Sequence, residues 1–412
     1  MASCGSIYAE LLSNIRQISL AVSLHSPSDA STQVAVTADG CSVELRHRGE
    51  TRHLVLPAKV ALGGTVLPIQ KQNVQSLSWR LPLDPTGFSP GLVFRPRDGG
   101  EQRPPSWSAA DLLPGSEVSC RHCGAAVVSK GALTVWKDLP SENWAEMMEF
   151  WHCHKPSDGG HHHAESNGQT DEKSLASRGY GASSHISAQK SIGFADLTTL
   201  LFAEEDCQSI TFSPSGYESR SADRHALAET DTPGSQPRSL NVFCSSCRTQ
   251  LGFFNFRAAA VTLLKWQISC QSVSGSAPGI SECLAATLIS IIARSASSKS
   301  LIMPISESTT SSDDPQPSMD NALHIWVLNS GIVYSSSAAA AGGSTPAIKL
   351  LYRLIRREEA ERMLETLTCD AQEVSLPAGA LGRVIQSLDE SNRLLPASER
   401  LFKEWKVGLL KK

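Results

Sequence analysis

Charged residues are scarce in this 412-residue chain: they make up only 19% of it, and the formal net charge is −4. A broad nucleic-acid surface needs clustered lysine and arginine to neutralise phosphates, so this composition argues against direct nucleic-acid binding. Hydrophobic residues make up 41%, which is enough to form ordinary globular cores. The length predicts two or three domains.

Long apolar runs are also absent. The most apolar stretch, Leu284–Ala293, is far shorter than the roughly 20 residues that cross a bilayer. The first ten residues, MASCGSIYAE, have neither the basic nor the apolar part of a secretory signal. We therefore expect no membrane partner and a location in the cytoplasm, the nucleus or both. In those compartments, the eleven cysteines are expected to be thiols or metal ligands rather than disulfides.

Several catalytic signatures are missing from the chain. It contains no GxGxxG, Walker A, GxSxG or HExxH sequence. The dinucleotide-binding, nucleotide-hydrolysing, serine-hydrolase and zinc-protease classes that carry these motifs are therefore without support.

The hydrophobic pattern predicts an α+β fold that is mainly β. Short Val- and Leu-rich runs separated by turn residues indicate an antiparallel β unit over residues 15–83. We place the regions at 1–115 (the β-rich N-terminal domain), 116–295 (a zinc-knuckle region with insertions), 296–320 (a linker) and 321–412 (a C-terminal α+β region). Two inserts of the central region, 155–192 and 213–240, have few large apolar groups and are predicted to be disordered.

Several elements can be assigned from periodicity. Apolar residues at Trp144, Met147, Met148 and Trp151 fall on one face of a helix over Ser141–Trp151. Its other face carries an acidic stripe of Glu142, Glu146 and Glu149. Further predicted elements are helices over Gly193–Glu204 and Glu282–Ala293, a hairpin turning at Asn329–Gly331, a helical pattern over Ile348–Leu367 with a possible strand start, a helix after Pro377, and a last strand over Trp405–Leu410.

Two Cys-x-x-Cys pairs are the strongest chemical signal. Cys120 and Cys123 form the first pair, and Cys244 and Cys247 form the second. Each pair places two thiolates on a tight turn between apolar β runs, which suits tetrahedral Zn²⁺ with Zn–S distances near 2.3 Å. The long intervening loop is acceptable because closure entropy grows only with the logarithm of length. We expect one structural zinc; the alternative is two unrelated buried or redox-active pairs.

Other cysteines and histidines offer weaker candidates. Cys153 and His154 end the predicted helix. They are either substitute ligands in the first zinc site or a thiol with its own role, whose thiolate the neighbouring histidine would favour. Cys369 follows Thr368 near the end of another predicted helix. For each of these, the simpler interpretation is a packing residue or a histidine bonded to helix-terminal carbonyls.

The order of motifs along the chain resembles a known family. CRHCG, LPSENWAEMMEFWHCH, FCSSCRTQLG, LLKW, IWVLN, IKLLY and SNRLLPASERLFKEWKVGLL follow one another as in the HECT-like ubiquitin-conjugating-enzyme (E2)-binding proteins. The LPSE-x-W…W-x-CH block is the most specific of these elements. The resemblance implies an E2-binding protein of the ubiquitin system, described as an E3 ligase that accepts ubiquitin from the E2.

The resemblance leaves the mechanism open. HECT ligases carry their active cysteine in a Thr-Cys-Phe context near the C-terminus, whereas this chain has Leu-Thr-Cys-Asp at Cys369 and no cysteine beyond it. If a ubiquitin thioester forms, Cys153 is our first candidate for the catalytic residue and Cys369 the second. The alternative function is a non-catalytic zinc-containing adaptor or chaperone for a larger complex, such as the pre-mRNA 3′-end processing machinery to which the family is linked.

Overall fold

A computed structural model describes residues 5–69, 71–85, 107–139, 188–213, 240–255, 259–273, 275–305, 320–339, 343–366 and 369–412. The chain divides into two units. Unit 1 comprises residues 1–104 and 280–412, and unit 2 comprises residues 105–279. Within the described ranges, no helix is long and apolar enough to cross a membrane.

Strands dominate both units, as the sequence predicts. In unit 1 they are β1 (Gly5–Leu12), β2 (Gln17–Leu24), β3 (Gln33–Val36), β4 (Ser42–His47), β5 (Glu50–Val55) and β6 (Ser76–Pro82). Unit 2 contributes β7 (Val118–Cys120), β8 (Ala126–Val128), β9 (Val135–Asp138), β10 (Ile192–Ala195), β11 (Thr199–Ala203), β12 (Ile210–Ser213), β13 (Leu240–Cys244), β14 (Gln250–Asn255), β15 (Ala260–Leu264) and β16 (Ile268–Cys270). The chain then returns to unit 1 with β17 (Lys299–Pro304), β18 (Asn321–Ser336), β19 (Thr345–Arg356), β20 (Ala371–Leu376), β21 (Leu401–Phe402) and β22 (Trp405–Lys411). The α-helices described are α1 (Ile280–Ser295), α2 (Arg357–Glu365) and α3 (Ala378–Asn392), all in unit 1.

A nine-stranded sheet organises unit 1. Its order is β21-β22-β19-β18-β1-β2-β6, with β17 beside β18 and β20 beside β17. The pairings are antiparallel except for β17 with β20. Inward side chains of β1 and β2 pack with the small sheet β3-β4-β5 around a buried cluster that includes Ile7, Leu20, Val34 and Leu45. The predicted N-terminal antiparallel β unit is confirmed.

The same sheet joins the two ends of the sequence. β1 pairs with β18, so that Tyr8 lies opposite Ser336. Residues of the N-terminal region and of the C-terminal α+β region therefore share one sheet, although the sequence analysis treats them separately. Residues 299–304, which fall in the predicted linker, form β17, which is largely buried and lies between β18 and β20.

Two predicted elements are wrong. The predicted hairpin at Asn329–Gly331 is instead part of the continuous strand β18, with register shifts on either side of Asn329. The extra residues bulge out of the ladder, and the Asn329 side chain accepts the Gly331 N–H at 2.9 Å. The predicted helix over Gly193–Glu204 is a hairpin of β10 and β11, closed by the Asp196 N–H on the Thr199 carbonyl.

Other predicted elements are confirmed in place. Helix α1 covers the predicted Glu282–Ala293, α3 begins directly after Pro377, and β22 closes the chain. The helical pattern starting at Ile348 begins as strand β19 and becomes helix α2 only at Arg357. The predicted helix Ser141–Trp151 lies outside the described residues, as do residues 155–187 and 214–239 of the two inserts.

The described part of unit 2 contains two sheets. A seven-stranded sheet has the order β12-β13-β14-β15-β11-β10-β9, and a three-stranded sheet has the order β16-β7-β8. Apolar side chains of both, including Val127, Leu200, Val242 and Leu263, form one buried cluster. The two Cys-x-x-Cys pairs begin at the ends of β7 and β13, one strand in each of these two sheets.

Candidate metal centre

Both cysteine pairs sit on loops of the same construction. Cys120 ends β7 and Cys244 ends β13. Four residues later, the Gly124 N–H donates to the Cys120 carbonyl at 2.8 Å, and the Arg248 N–H donates to the Cys244 carbonyl at 2.9 Å. Gly124 and Arg248 both have positive φ, 76° and 61°. Each loop thus curls the chain back so that its two thiols point the same way.

The two cysteine loops also share a second backbone hydrogen bond. The Cys120 N–H donates to the Ala125 carbonyl at 2.8 Å, and the Cys244 N–H donates to the Thr249 carbonyl at 2.9 Å. Arg248 adopts a left-handed conformation that is uncommon for a residue with a side chain. Such local strain persists where the surroundings require it, and here the second loop requires the same conformation that glycine provides in the first.

The four sulfurs form a compact cluster. Cys120 Sγ lies 3.7 Å from Cys247 Sγ, and Cys123 Sγ lies 3.6 Å from Cys244 Sγ. All four ligand atoms are within 4.8 Å of one another. A tetrahedron with Zn–S near 2.3 Å has sulfur–sulfur edges of about 3.8 Å, whereas a disulfide needs about 2.05 Å. The separations therefore fit a tetrahedral metal and are too long for disulfide bonds.

The cluster combines a buried and an accessible side. Cys120 and Cys244 are buried in the core of unit 2, while Cys123 is exposed and Cys247 half-buried. Burial raises the pKa of the Cys120 thiol to about 12. A hydrogen bond with the Thr249 hydroxyl lowers the pKa of Cys247 to about 6. Four thiolates packed this closely repel one another, so only a bound cation makes that charge state favourable.

The donor set distinguishes a structural site from a catalytic one. Catalytic zinc keeps a position for water or substrate, whereas a Cys₄ site fills all four positions with protein ligands. Cys120, Cys123, Cys244 and Cys247 supply such a set. A zinc here would link the three-stranded sheet to the seven-stranded sheet, and it would do so without a nucleophilic water.

Of the two candidate nucleophiles, only Cys369 lies within the described residues. Cys153 lies outside the described residues, together with His154. Cys369 lies in unit 1, half-buried between α2 and β20, where it packs against a buried cluster that includes Leu301 and Ile355. Its sulfur lies 3.4 Å from the amide nitrogen of Ala371, which donates to it. The cysteine is thus held in a defined turn.

One buried polar cluster in unit 1 has no counterpart among the predicted site residues. Lys349 Nζ lies 2.7 Å from Glu10 Oε2, and the Tyr8 hydroxyl donates to the same oxygen at 3.0 Å. The Glu10 side chain is only 6% exposed. Burial, and after it the charge of Glu10, raises the pKa of Tyr8. The single carboxylate in the apolar run IYAELL was the available signal, but its partner is remote in sequence.

Comparisons with known proteins give one family match and two relatives of undescribed function. The family described as HECT-like ubiquitin-conjugating enzyme (E2)-binding matches residues 10–407. An uncharacterized protein of Schizosaccharomyces pombe is 24% identical over 320 residues, which cover 74% of this chain and 77% of that protein. An uncharacterized protein of Saccharomyces cerevisiae is 42% identical over 52 residues, only 12% of this chain and 15% of that relative's length. No solved structure matches.

Proposed function

The chain belongs to the family of HECT-like E2-binding proteins, and from that premise we propose that it binds a ubiquitin-conjugating enzyme and acts as, or supports, an E3 ubiquitin ligase. The observation that carries this proposal is the extent of the family match, which spans nearly the whole chain. The partners are then an E2 and the ubiquitin that it carries. We place the protein in the cytoplasm, the nucleus or both, where E2 enzymes carry ubiquitin.

Zinc has a structural role in this proposal. The four-cysteine cluster suits a closed site, in which the metal contributes directly to folding energy. Cys120, Cys123, Cys244 and Cys247 would be fully engaged as ligands and therefore unavailable for carrying ubiquitin. A transfer reaction would need a different thiol.

The chemistry of ubiquitin transfer defines what that thiol must do. Its thiolate would attack the thioester carbonyl that joins ubiquitin to the E2 cysteine, and the E2 thiolate would leave as the new thioester forms. A substrate amine would then attack the second thioester and release the protein thiolate. We retain Cys153 and Cys369 as candidates. Of these two, Cys369 has a half-buried sulfur that accepts the Ala371 N–H at 3.4 Å.

The second candidate function is a non-catalytic adaptor within a larger complex, such as the pre-mRNA 3′-end processing machinery. It is favoured by the absence of any cysteine after Cys369, since the C-terminal segment then offers no thiol. On this view the protein binds an E2 without accepting ubiquitin, and the zinc only maintains the fold.

A thioester assay separates the two functions. The zinc-loaded chain would be mixed with E2 charged with ubiquitin, and products would be resolved with and without reductant. For a ligase we expect a reductant-sensitive adduct that is lost in either C153A or C369A. Cys41→Ala is a matched control, because Cys41, like Cys369, is half-buried in unit 1 but lies between β3 and β4 and is not a candidate nucleophile. An adduct that persists in both variants excludes both candidates, and E2 binding without any adduct favours the adaptor.

A further inference from the structure

The seven-stranded sheet of unit 2 has a second apolar face. Side chains that lie opposite one another in paired strands share a face of the sheet. Lys137, Phe194, Leu201, Thr262 and Phe253 form one such row across β9, β10, β11, β15 and β14. Val135 and Ile192 lie on the same face one step along. We call the apolar members of this set, Val135, Ile192, Phe194, Leu201 and Phe253, the outer face.

The opposite face of this sheet is already covered. Its alternate residues, such as Trp136, Leu200 and Leu263, belong to the buried cluster shared with the three-stranded sheet. None of the five outer-face residues belongs to that cluster. Yet Phe194 is only 7% exposed, and Ile192, Leu201 and Phe253 are half-buried. The described part of unit 2 contains no α-helix that could account for this burial.

The parallel pairing of β9 with β10 requires a long chain connection between these two strands. These neighbouring strands are consecutive in the described chain and run parallel. A parallel pair cannot be closed by a tight turn, so the connection through residues 139–191 must return along the sheet before β10 begins. At its first residue this connection is still hydrogen-bonded to the sheet, because the Leu139 N–H donates to the Ala195 carbonyl at 2.8 Å.

The handedness of that connection determines which face of the seven-stranded sheet it covers. Since the Leu139 N–H points toward β10, the peptide groups of Val135 and Lys137 point the same way. For L-residues, this orientation places β10 to the right when β9 runs upward and the Val135 side chain faces the viewer. A right-handed crossover, which about 98% of such connections adopt, then passes in front of the outer face.

The sequence supplies a matching occupant just beyond the end of β9. The stripe of Trp144, Met147, Met148 and Trp151 begins five residues after Leu139, and eleven helical residues would be about 16 Å long, enough to cross roughly three strands. Two tryptophans and two methionines left in water would be an aggregation hazard. We propose that the segment Ser141–His154 docks its apolar stripe on the outer face.

This arrangement goes beyond the proposed function and does not depend on E2 binding. It makes Ser141–His154 part of the core of unit 2 and turns its acidic stripe, Glu142, Glu146 and Glu149, toward solvent.

A photo-crosslinking experiment on the full zinc-loaded chain tests the docking. A benzophenone amino acid would replace Val135, which is 43% exposed, or the half-buried Phe253. After illumination, mass spectrometry should find intrachain crosslinks from both positions to peptides within residues 141–154. The control position is Lys130, which is exposed on a loop of the same unit and should give none of these products. Crosslinks to a second copy, to another segment, or to nothing would overturn the proposal.

A double-mutant cycle provides a second readout. Phe253→Ala and Trp144→Ala should each raise the equilibrium constant for unfolding. In the double variant, the fold-increase in that constant should be about tenfold smaller than the product of the two single fold-increases. The expected shortfall arises because the second truncation removes a contact that the first has already lost. If the fold-increase of the double variant equalled the product of the two single fold-increases, the two side chains would not pack together, and the docking would be contradicted.

Discussion

Replacing Cys244 with serine is expected to reduce zinc from about one equivalent per chain to less than half, and to unfold unit 2. Cys244 is fully buried, and its sulfur is 3.6 Å from Cys123 Sγ, so a hydroxyl there would leave three thiolates around an incompletely coordinated metal. Apparent binding free energies of structural zinc reach roughly 10–16 kcal/mol in zinc-finger peptides, and the metal binds only the folded site. Metal analysis and thermal unfolding measure both effects.

The control for this variant is Cys270→Ser. Cys270 lies at the end of β16 in the same unit, is half-buried and is outside the four-sulfur cluster. We expect it to keep one zinc and to lose no more than about 1–2 kcal/mol of stability, as a single buried polar exchange does. If Cys244→Ser retained a full equivalent of zinc and an unchanged unfolding midpoint, the metal site would not be where we place it.

Lys349→Met is expected to destabilise the protein by about 3–5 kcal/mol, because it leaves the buried Glu10 carboxylate without its countercharge. Lys349 Nζ lies 2.7 Å from Glu10 Oε2, and only the Tyr8 hydroxyl also donates to that oxygen in the described contacts. Breaking one partner of a buried pair costs more than the pair contributes. Chemical denaturation of the purified variant measures the loss.

Two variants check this explanation. The double change Glu10→Gln with Lys349→Met should recover part of the loss, because it removes the unpaired charge. Lys411→Met breaks an ion pair with Glu282 in which the lysine side chain is 63% exposed, so it should cost less than about 1 kcal/mol. Equal losses for Lys349→Met and Lys411→Met would show that burial of the Glu10 pair has no energetic consequence.

Local signals in the sequence were sufficient for the metal cluster and for much of the secondary structure. Each Cys-x-x-Cys pair specifies its own loop through bonds that span only four or five residues, as the Gly124 and Arg248 amides show. Helix α3 was predictable because Pro377 precedes an apolar stripe at helical spacing. The alternation of β4 was similarly visible in six consecutive residues.

Non-local pairing was not predictable from these signals. Nothing near Tyr8 or Ser336 indicates that β1 and β18 are neighbours, since register is set by partners that are remote in sequence. Asn329–Gly331 has turn composition, but the long partner β19 keeps β18 extended and absorbs the extra residues as bulges. Gly193–Glu204 is a short apolar run, for which helix and strand periodicity cannot be separated.

Binding to a ubiquitin-conjugating enzyme is the property on which the proposed function depends, and calorimetric titration of the zinc-loaded chain with a panel of purified E2 enzymes measures it directly. We expect at least one E2 to bind with a stoichiometry of one and micromolar or tighter affinity, and Cys244→Ser to abolish that binding while Cys270→Ser preserves it. The absence of binding to every E2 in the panel, by a chain shown to be folded and to hold one zinc, would contradict the function that we propose.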